Sequence, residues 1–318
     1  MRKTLPVIFS LGAICVITIA FLIYKDDGKC NSNDKVRCLT QMAEQGNKTA
    51  QVELGIIYGE GSGVAPNYDK AAYWYKKSAA QDSVDALFNL GLFYEKGWGV
   101  IKNLQLAREY YKKAVTKGSV DAQVNLGFLY MKGLGGDVNY TQAIKLFVLA
   151  SEKKNPIALY NLGYIYNYGL GVPKNENEAA IWYRKAVDLG SMSAKNSLAL
   201  FYSRGAGNLP VDRKKAFELL ISSACQGYVI AQNNLGILYT DGTEELKKDP
   251  QQAYAWFSVA FYNGFEKADI SRKKIENEMD SAQIEKAKVL ASEYIRKYYF
   301  PPNGMDTNRS NTQCFQSQ

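Results

Sequence analysis

The 318-residue chain contains no histidine. This removes the commonest general base near neutral pH and the usual partner of serine and cysteine nucleophiles. The 5 cysteines include no Cys-x-x-Cys pair, so without histidine a zinc site is not expected. Carboxylates are scattered, and no local spacing suggests the paired acid and base of a glycosidase. The net charge of +8 is mixed along the chain and forms no evident nucleic-acid stripe. Proline is scarce, at 8 residues against 23 tyrosines, which suits packed helices better than linkers. These absences lead us to expect a non-catalytic protein with no cofactor, no metal and no small-molecule substrate.

Only one long apolar run is present. Arg2 and Lys3 precede an uncharged stretch from Leu5 to Tyr24, and twenty helical residues span roughly 30 Å, about the hydrocarbon thickness of a bilayer. No small-x-small site follows it, which favours an uncleaved anchor over a cleaved signal sequence. Ile14 before Cys15 argues against lipidation. The positive-inside rule places the N-terminus in the cytoplasm and the remainder outside a bacterial inner membrane, facing the periplasm. The alternative is a soluble periplasmic or secreted protein released by cleavage. In such an oxidising compartment Cys30 and Cys38, eight residues apart, are expected to form a disulfide, whereas Cys225 and Cys314 pair only if the tail folds back. Asn-x-Ser/Thr sequons at Asn47, Asn139 and Asn308 matter only in a eukaryotic secretory pathway.

Beyond the run, one pattern dominates. Ala50, Ala86, Ala122, Ala158, Ala194 and Ala231 recur with four steps of 36 residues and one of 37. Leu-Gly follows four residues after five of these alanines, a tyrosine follows eight after each, and a glycine eleven after each. A period of this size marks stacked supersecondary units, each too small to bury a core alone. In the unit from Ser119 to Lys154 the apolar spacing predicts a helix over Val120–Lys132, stopped by the glycines from Gly133 to Gly136, and a second over Thr141–Lys153. Ala143, Phe147 and Ala150 are expected to face inwards. The glycine of Leu-Gly allows close helix approach, Val64, Val100 and Val172 fold the loops over the core, and Trp74-Tyr75, Tyr110-Tyr111 and Trp182-Tyr183 supply contact area. Gly59-x-Gly61-x-Gly63 resembles a phosphate loop only superficially, because it follows a helix and recurs in register.

The segment Ala158-x-x-Asn161-Leu162-Gly163-x-x-Tyr166-x-x-Gly169-x-Gly171-Val172, followed by Glu178-Ala179-Ala180-Ile181-Trp182-Tyr183-Arg184-Lys185-Ala186, resembles the Sel1-like repeat, a relative of the tetratricopeptide repeat. The resemblance covers roughly 39–300 with six units. It departs most in the fifth, where Ala199 replaces glycine, Ser197 replaces asparagine and the loop valine is missing. It implies an all-α, right-handed α-solenoid. The expected organisation is an anchor or signal at 1–24, a linker at 25–38, repeats at 39–264, capping helices at 265–300 and a flexible tail at 301–318.

In the related tetratricopeptide repeats, residues flanking the Leu-Gly position line a concave groove. By that resemblance the groove here holds Asn89, Asn125, Asn161 and Asn234, beside Phe88, Val124 and Tyr160, with Leu92, Phe128 and Tyr164 one turn on. Two readings of the asparagines stay open: they hold an extended partner segment, or they bond to the neighbouring repeat's backbone and fix the stacking. Tyr160, Tyr164 and Tyr168, at i, i+4 and i+8, read as exposed aromatic anchors of a binding site. The expected function is protein–protein interaction in the bacterial envelope, as an adaptor whose partner the sequence does not identify. An alternative is an immunity protein that neutralises a secreted toxin such as a lipase. A third reading, a β-lactamase-like enzyme, comes from cysteine-rich relatives whose regular cysteine pairs this chain lacks.

Overall fold

A computed structural model describes residues 35–243 and 246–299. Among them lie fifteen α-helices and no strand, an all-helical repeat fold of the solenoid class. Helix α1 (Lys35–Glu44) comes first. Six hairpins follow: α2 (Lys48–Glu60) with α3 (Tyr68–Ala79), α4 (Val84–Lys96) with α5 (Leu104–Thr116), α6 (Val120–Lys132) with α7 (Tyr140–Glu152), α8 (Pro156–Tyr168) with α9 (Glu176–Asp188), α10 (Met192–Arg204) with α11 (Arg213–Cys225), and α12 (Val229–Asp241) with α13 (Pro250–Tyr262). The last two helices are α14 (Ala268–Glu276) and α15 (Ser281–Tyr298). The fifteen helices fall into two compact units, the first ending at Ala158 and the second beginning at Leu159, within α8.

Each hairpin starts and stops for local reasons. The first helix of the third hairpin ends at Gly133, whose φ of 67° suits a residue without Cβ, and its amide donates back to Leu129. The second helices begin with an asparagine or aspartate cap: Asn67, Asn103, Asn139, Asn175, Asp212 and Asp249 each accept a backbone N–H two or three residues on. The backbone N–H of each cap donates to the carbonyl of the repeat tyrosine, from Asn67 to Tyr58 at 2.7 Å through Asp249 to Tyr239 at 2.9 Å. One residue type thus closes the loop and starts the next helix. Asn47 caps α2 in the same way, so two of the three glycosylation-type sequons are helix caps, while Asn308 lies outside the described residues.

The repeat glycines and the second-helix rings form a rivet. A Cβ on Gly91 would lie 2.5 Å from Tyr111, on Gly127 2.9 Å from Phe147, on Gly163 2.6 Å from Tyr183 and on Gly236 2.5 Å from Phe257. Each ring therefore packs directly on the glycine of its own hairpin's first helix. Its other side reaches the next hairpin: Tyr75 meets Phe93 edge-on at 5.2 Å, and Tyr183 meets Phe201 at 5.6 Å. The fifth hairpin changes both halves. Ala199 stands where the others have glycine, and Leu220 stands where they have a ring; both are buried.

Both ends of the repeat array are covered. Leu39 of α1 stands 36 residues before Tyr75, at the ring position, and is buried, while the Gln51 side chain donates to Ala43 across that joint at 2.8 Å. At the other end α15 lays Tyr298 on fully buried Trp256 at 5.3 Å, and the Tyr294 hydroxyl bonds Gln252 at 2.8 Å. Ala268 of α14 stands 37 residues after Ala231 and is fully buried, so the register runs one helix past the last Leu-Gly. No helix among the described residues is long and apolar enough to cross a membrane, and Leu5–Tyr24 lies outside them. Cys38 and Cys225 are each in a disulfide; Cys30 and Cys314, with the tail 301–318, lie outside the described residues.

Candidate functional site

The helix that supplies each rivet also fixes the asparagines. Fourteen residues separate Tyr111 from Asn125, and that spacing brings the buried hydroxyl to the amide. Asn125 donates to the Tyr111 hydroxyl at 3.2 Å, and the hydroxyl donates to Glu95 at 2.9 Å. The same spacing joins Tyr183 to Ser197, which hydrogen-bonds both Tyr183 and Tyr160. In the fifth hairpin the ring position is Leu220, which has no hydroxyl, and Asn234 instead donates to Asn196 at 2.9 Å. Asn89 donates to the Asp85 carbonyl of its own helix at 2.9 Å. Asn161 is buried, at 6% exposure. Asn89, Asn125 and Asn234 therefore spend their amides inside the protein, Asn125 and Asn234 on side chains of the neighbouring repeat rather than on its backbone and Asn89 within its own helix.

The tyrosine expectation needs correcting. Tyr160 and Tyr164 are not exposed: they keep 8% and 3% of their surface, because Tyr183 covers Tyr160 at 5.8 Å and Tyr168 covers Tyr164 at 4.5 Å. Tyr168 is exposed, at 50%. Phe88 is likewise a core residue, packed on Tyr111 at 5.8 Å, and Leu92 and Val124 are buried with it. Phe128 is half-buried, with the Lys132 ammonium 6.0 Å from its ring. Burial pushes the hydroxyls of Tyr111, Tyr160 and Tyr183 far above the ordinary phenol range, and Tyr239 up to about 12. They stay neutral hydrogen-bonding groups and have no acid–base role near neutral pH.

Two features escaped the sequence reading. Arg108 of α5 is buried and donates to the carbonyls of Leu129 at 3.0 Å and Asp137 at 3.2 Å, with its guanidinium 4.6 Å from the Tyr130 ring. It holds the third hairpin's loop from the preceding hairpin. The available signal was Gly136, which stands where other units have a loop valine: a Cβ there would lie 2.6 Å from the guanidinium. The second feature is apolar exposure in the second unit. Leu200 of α10 and Ile237 of α12 occupy the register position that Tyr164 occupies in α8, yet are 49% and 44% exposed. Charges are sparse around them, limited on these two helices to Lys195, Arg204 and Asp241.

No group of acidic, cysteine or histidine side chains among the described residues is arranged to hold a metal ion. Six copies of the family model described as the Sel1 repeat match residues 48–83, 84–119, 120–155, 156–191, 193–228 and 229–265. No curated protein matches the chain. Among solved structures, a Sel1 repeat protein from Oxalobacter formigenes is 30% identical with a TM-score of 0.68, over 78% of this chain and 96% of that one. A protective antigen of uropathogenic Escherichia coli strains is 28% identical over 83% and 72%, with a TM-score of 0.41. An immunity protein from Pseudomonas aeruginosa is 18% identical over 84% and 89%, also at 0.41.

Proposed function

Because the chain belongs to the Sel1 repeat family, we propose that it is a non-catalytic scaffold that captures a partner protein on the first-helix face of its second unit, as an adaptor in a bacterial cell envelope. The observation that carries this reading is the pair Leu200 and Ile237. They are large apolar side chains left open at one register position of consecutive first helices, on a surface with few charges. Isolated exposed leucines are ordinary, but aligned ones flanked by an exposed tyrosine, Tyr168, are what a protein interface buries. The uncharged run Leu5–Tyr24 serves in this reading as the anchor in the inner membrane, with the repeats in the periplasm. There Cys30–Cys38 is the disulfide expected beside the first hairpin.

The test compares tagged full-length protein with a Leu200→Ser, Ile237→Ser variant. Both side chains are half in water, so the thermal midpoint should stay within a few degrees. One envelope protein captured by the parent should be depleted severalfold from the variant's eluate. Identical captured sets at equal stability would exclude this face.

A further inference from the structure

The charges of the first unit are sorted by face. Its first helices carry Glu53, Glu60, Asp85, Glu95 and Asp121 against Lys48, Lys96 and Lys132. Its second helices point the other way in charge. Tyr75, Tyr111 and Phe147 turn inwards to their glycines, so the residues one and two further on turn outwards: Lys76-Lys77, Lys112-Lys113 and Val148-Leu149, all exposed. Lys70 and Lys145 extend these rows, against Asp69, Glu109 and Glu152. Amid the lysines lie open apolar surfaces, with Tyr73 at 50%, Val148 at 37% and Leu149 at 45% exposure. The Lys77 ammonium rests 4.9 Å from the Tyr73 ring, leaving the aromatic and the cation side by side at the surface.

We propose that this outer face of the first unit, formed by α3, α5 and α7, rests on an anionic phospholipid surface. The lysines meet headgroup phosphates, and Tyr73, Val148 and Leu149 enter the interfacial layer. Charge complementarity selects an anionic partner, and the apolar side chains select among anions. A nucleic-acid backbone gives Val148 and Leu149 nothing to bury against, whereas interfacial helices combine basic and apolar residues on one surface. In the second unit the pattern thins: Arg184-Lys185 of α9 repeat it but are set against Glu176, Glu178 and Asp188, α11 has Ile221 and Ser222 at those positions with Arg213, Lys214 and Lys215 confined to its start, and α13 carries no charge. The paired lysines are thus densest in the unit that follows Leu5–Tyr24 in sequence. This placement rests on the anchor reading above, since a tether raises the local concentration of the surface and makes weak contacts persist.

The experiment uses full-length protein with vesicles of phosphatidylcholine alone or with phosphatidylglycerol admixed, and reads lysine acylation by mass spectrometry. Acylation of Lys76, Lys77, Lys112 and Lys113 should slow severalfold on the anionic vesicles only. The difference should vanish at ~1 M salt, where the screening length is ~3 Å, and Lys96 and Lys132 should not change. Changing the four outer lysines to glutamine should abolish the protection of Lys145 and Lys70. Equal acylation on both vesicle types overturns the proposal, as does protection by a single-stranded oligonucleotide with none by vesicles. The anchor is read separately, from retention on pure phosphatidylcholine vesicles at ~1 M salt. Loss of that retention with salt-sensitive protection intact sinks the anchor and leaves the face standing.

Discussion

Tyr111→Ala should destabilise the protein by about 3–5 kcal/mol, read as a lower urea midpoint by far-ultraviolet circular dichroism. The side chain is fully buried between Gly91 and Phe88, so nothing nearby can collapse cheaply into its space. Its loss also strips Asn125 of an acceptor and Glu95 of a donor. Tyr111→Phe separates the two effects, because it keeps the ring and forfeits roughly 1 kcal/mol of hydrogen bonding. If Tyr111→Ala shifts the midpoint no more than Tyr111→Phe does, the ring is not what joins the hairpins.

Gly91→Ala tests the other half of the rivet. Helix propensity alone favours alanine by about 1 kcal/mol. The added Cβ, however, meets ring atoms of Tyr111 at 2.5 Å, and that ring is held by its hydroxyl and cannot swing away. Overpacking of this kind destabilises by ~1–3 kcal/mol, so the clash outweighs the propensity gain. The fifth hairpin shows how the two positions accommodate each other, with Ala199 beside a unit whose ring position is Leu220. Gly91→Ala combined with Tyr111→Leu should therefore be more stable than the sum of the single changes by at least ~1 kcal/mol. Strict additivity in that cycle would mean that the two positions do not read each other.

Much of this was legible in the chain because the repeat states it six times. The helix expected over Val120–Lys132 has those bounds, and the second, expected over Thr141–Lys153, begins and ends one residue earlier, at Tyr140 and Glu152. Ala143, Phe147 and Ala150 are fully buried, as their spacing implies. Depth was harder to read. Periodicity places Tyr160, Tyr164 and Tyr168 on adjoining turns, but whether a face is covered depends on another helix, here the one bearing Tyr183. The sequons at Asn47 and Asn139 have a local meaning that the linear pattern does not state, since asparagine caps a helix whatever follows it. Among the repeat tyrosines, Tyr94 stacks on Tyr110 of its own hairpin at 5.4 Å while Tyr239 meets Phe217 of the preceding hairpin at 6.0 Å, and their carbonyls anchor the loops. The charge sorting of the first unit escaped a linear reading because alternating helices mix the signs along the chain and separate them in space.

The central claim is that the open apolar side chains of α10 and α12 meet a partner while the buried tyrosines and asparagines hold the stack. Hydroxyl-radical footprinting of the protein with and without its captured partner tests this most directly. Oxidation of Leu200, Ile237 and Tyr168 should fall severalfold in the complex, with Tyr160 and Tyr164 unreactive in both states. Unchanged oxidation of Leu200 and Ile237 in a saturated complex would contradict the account and move the binding surface elsewhere on the repeats.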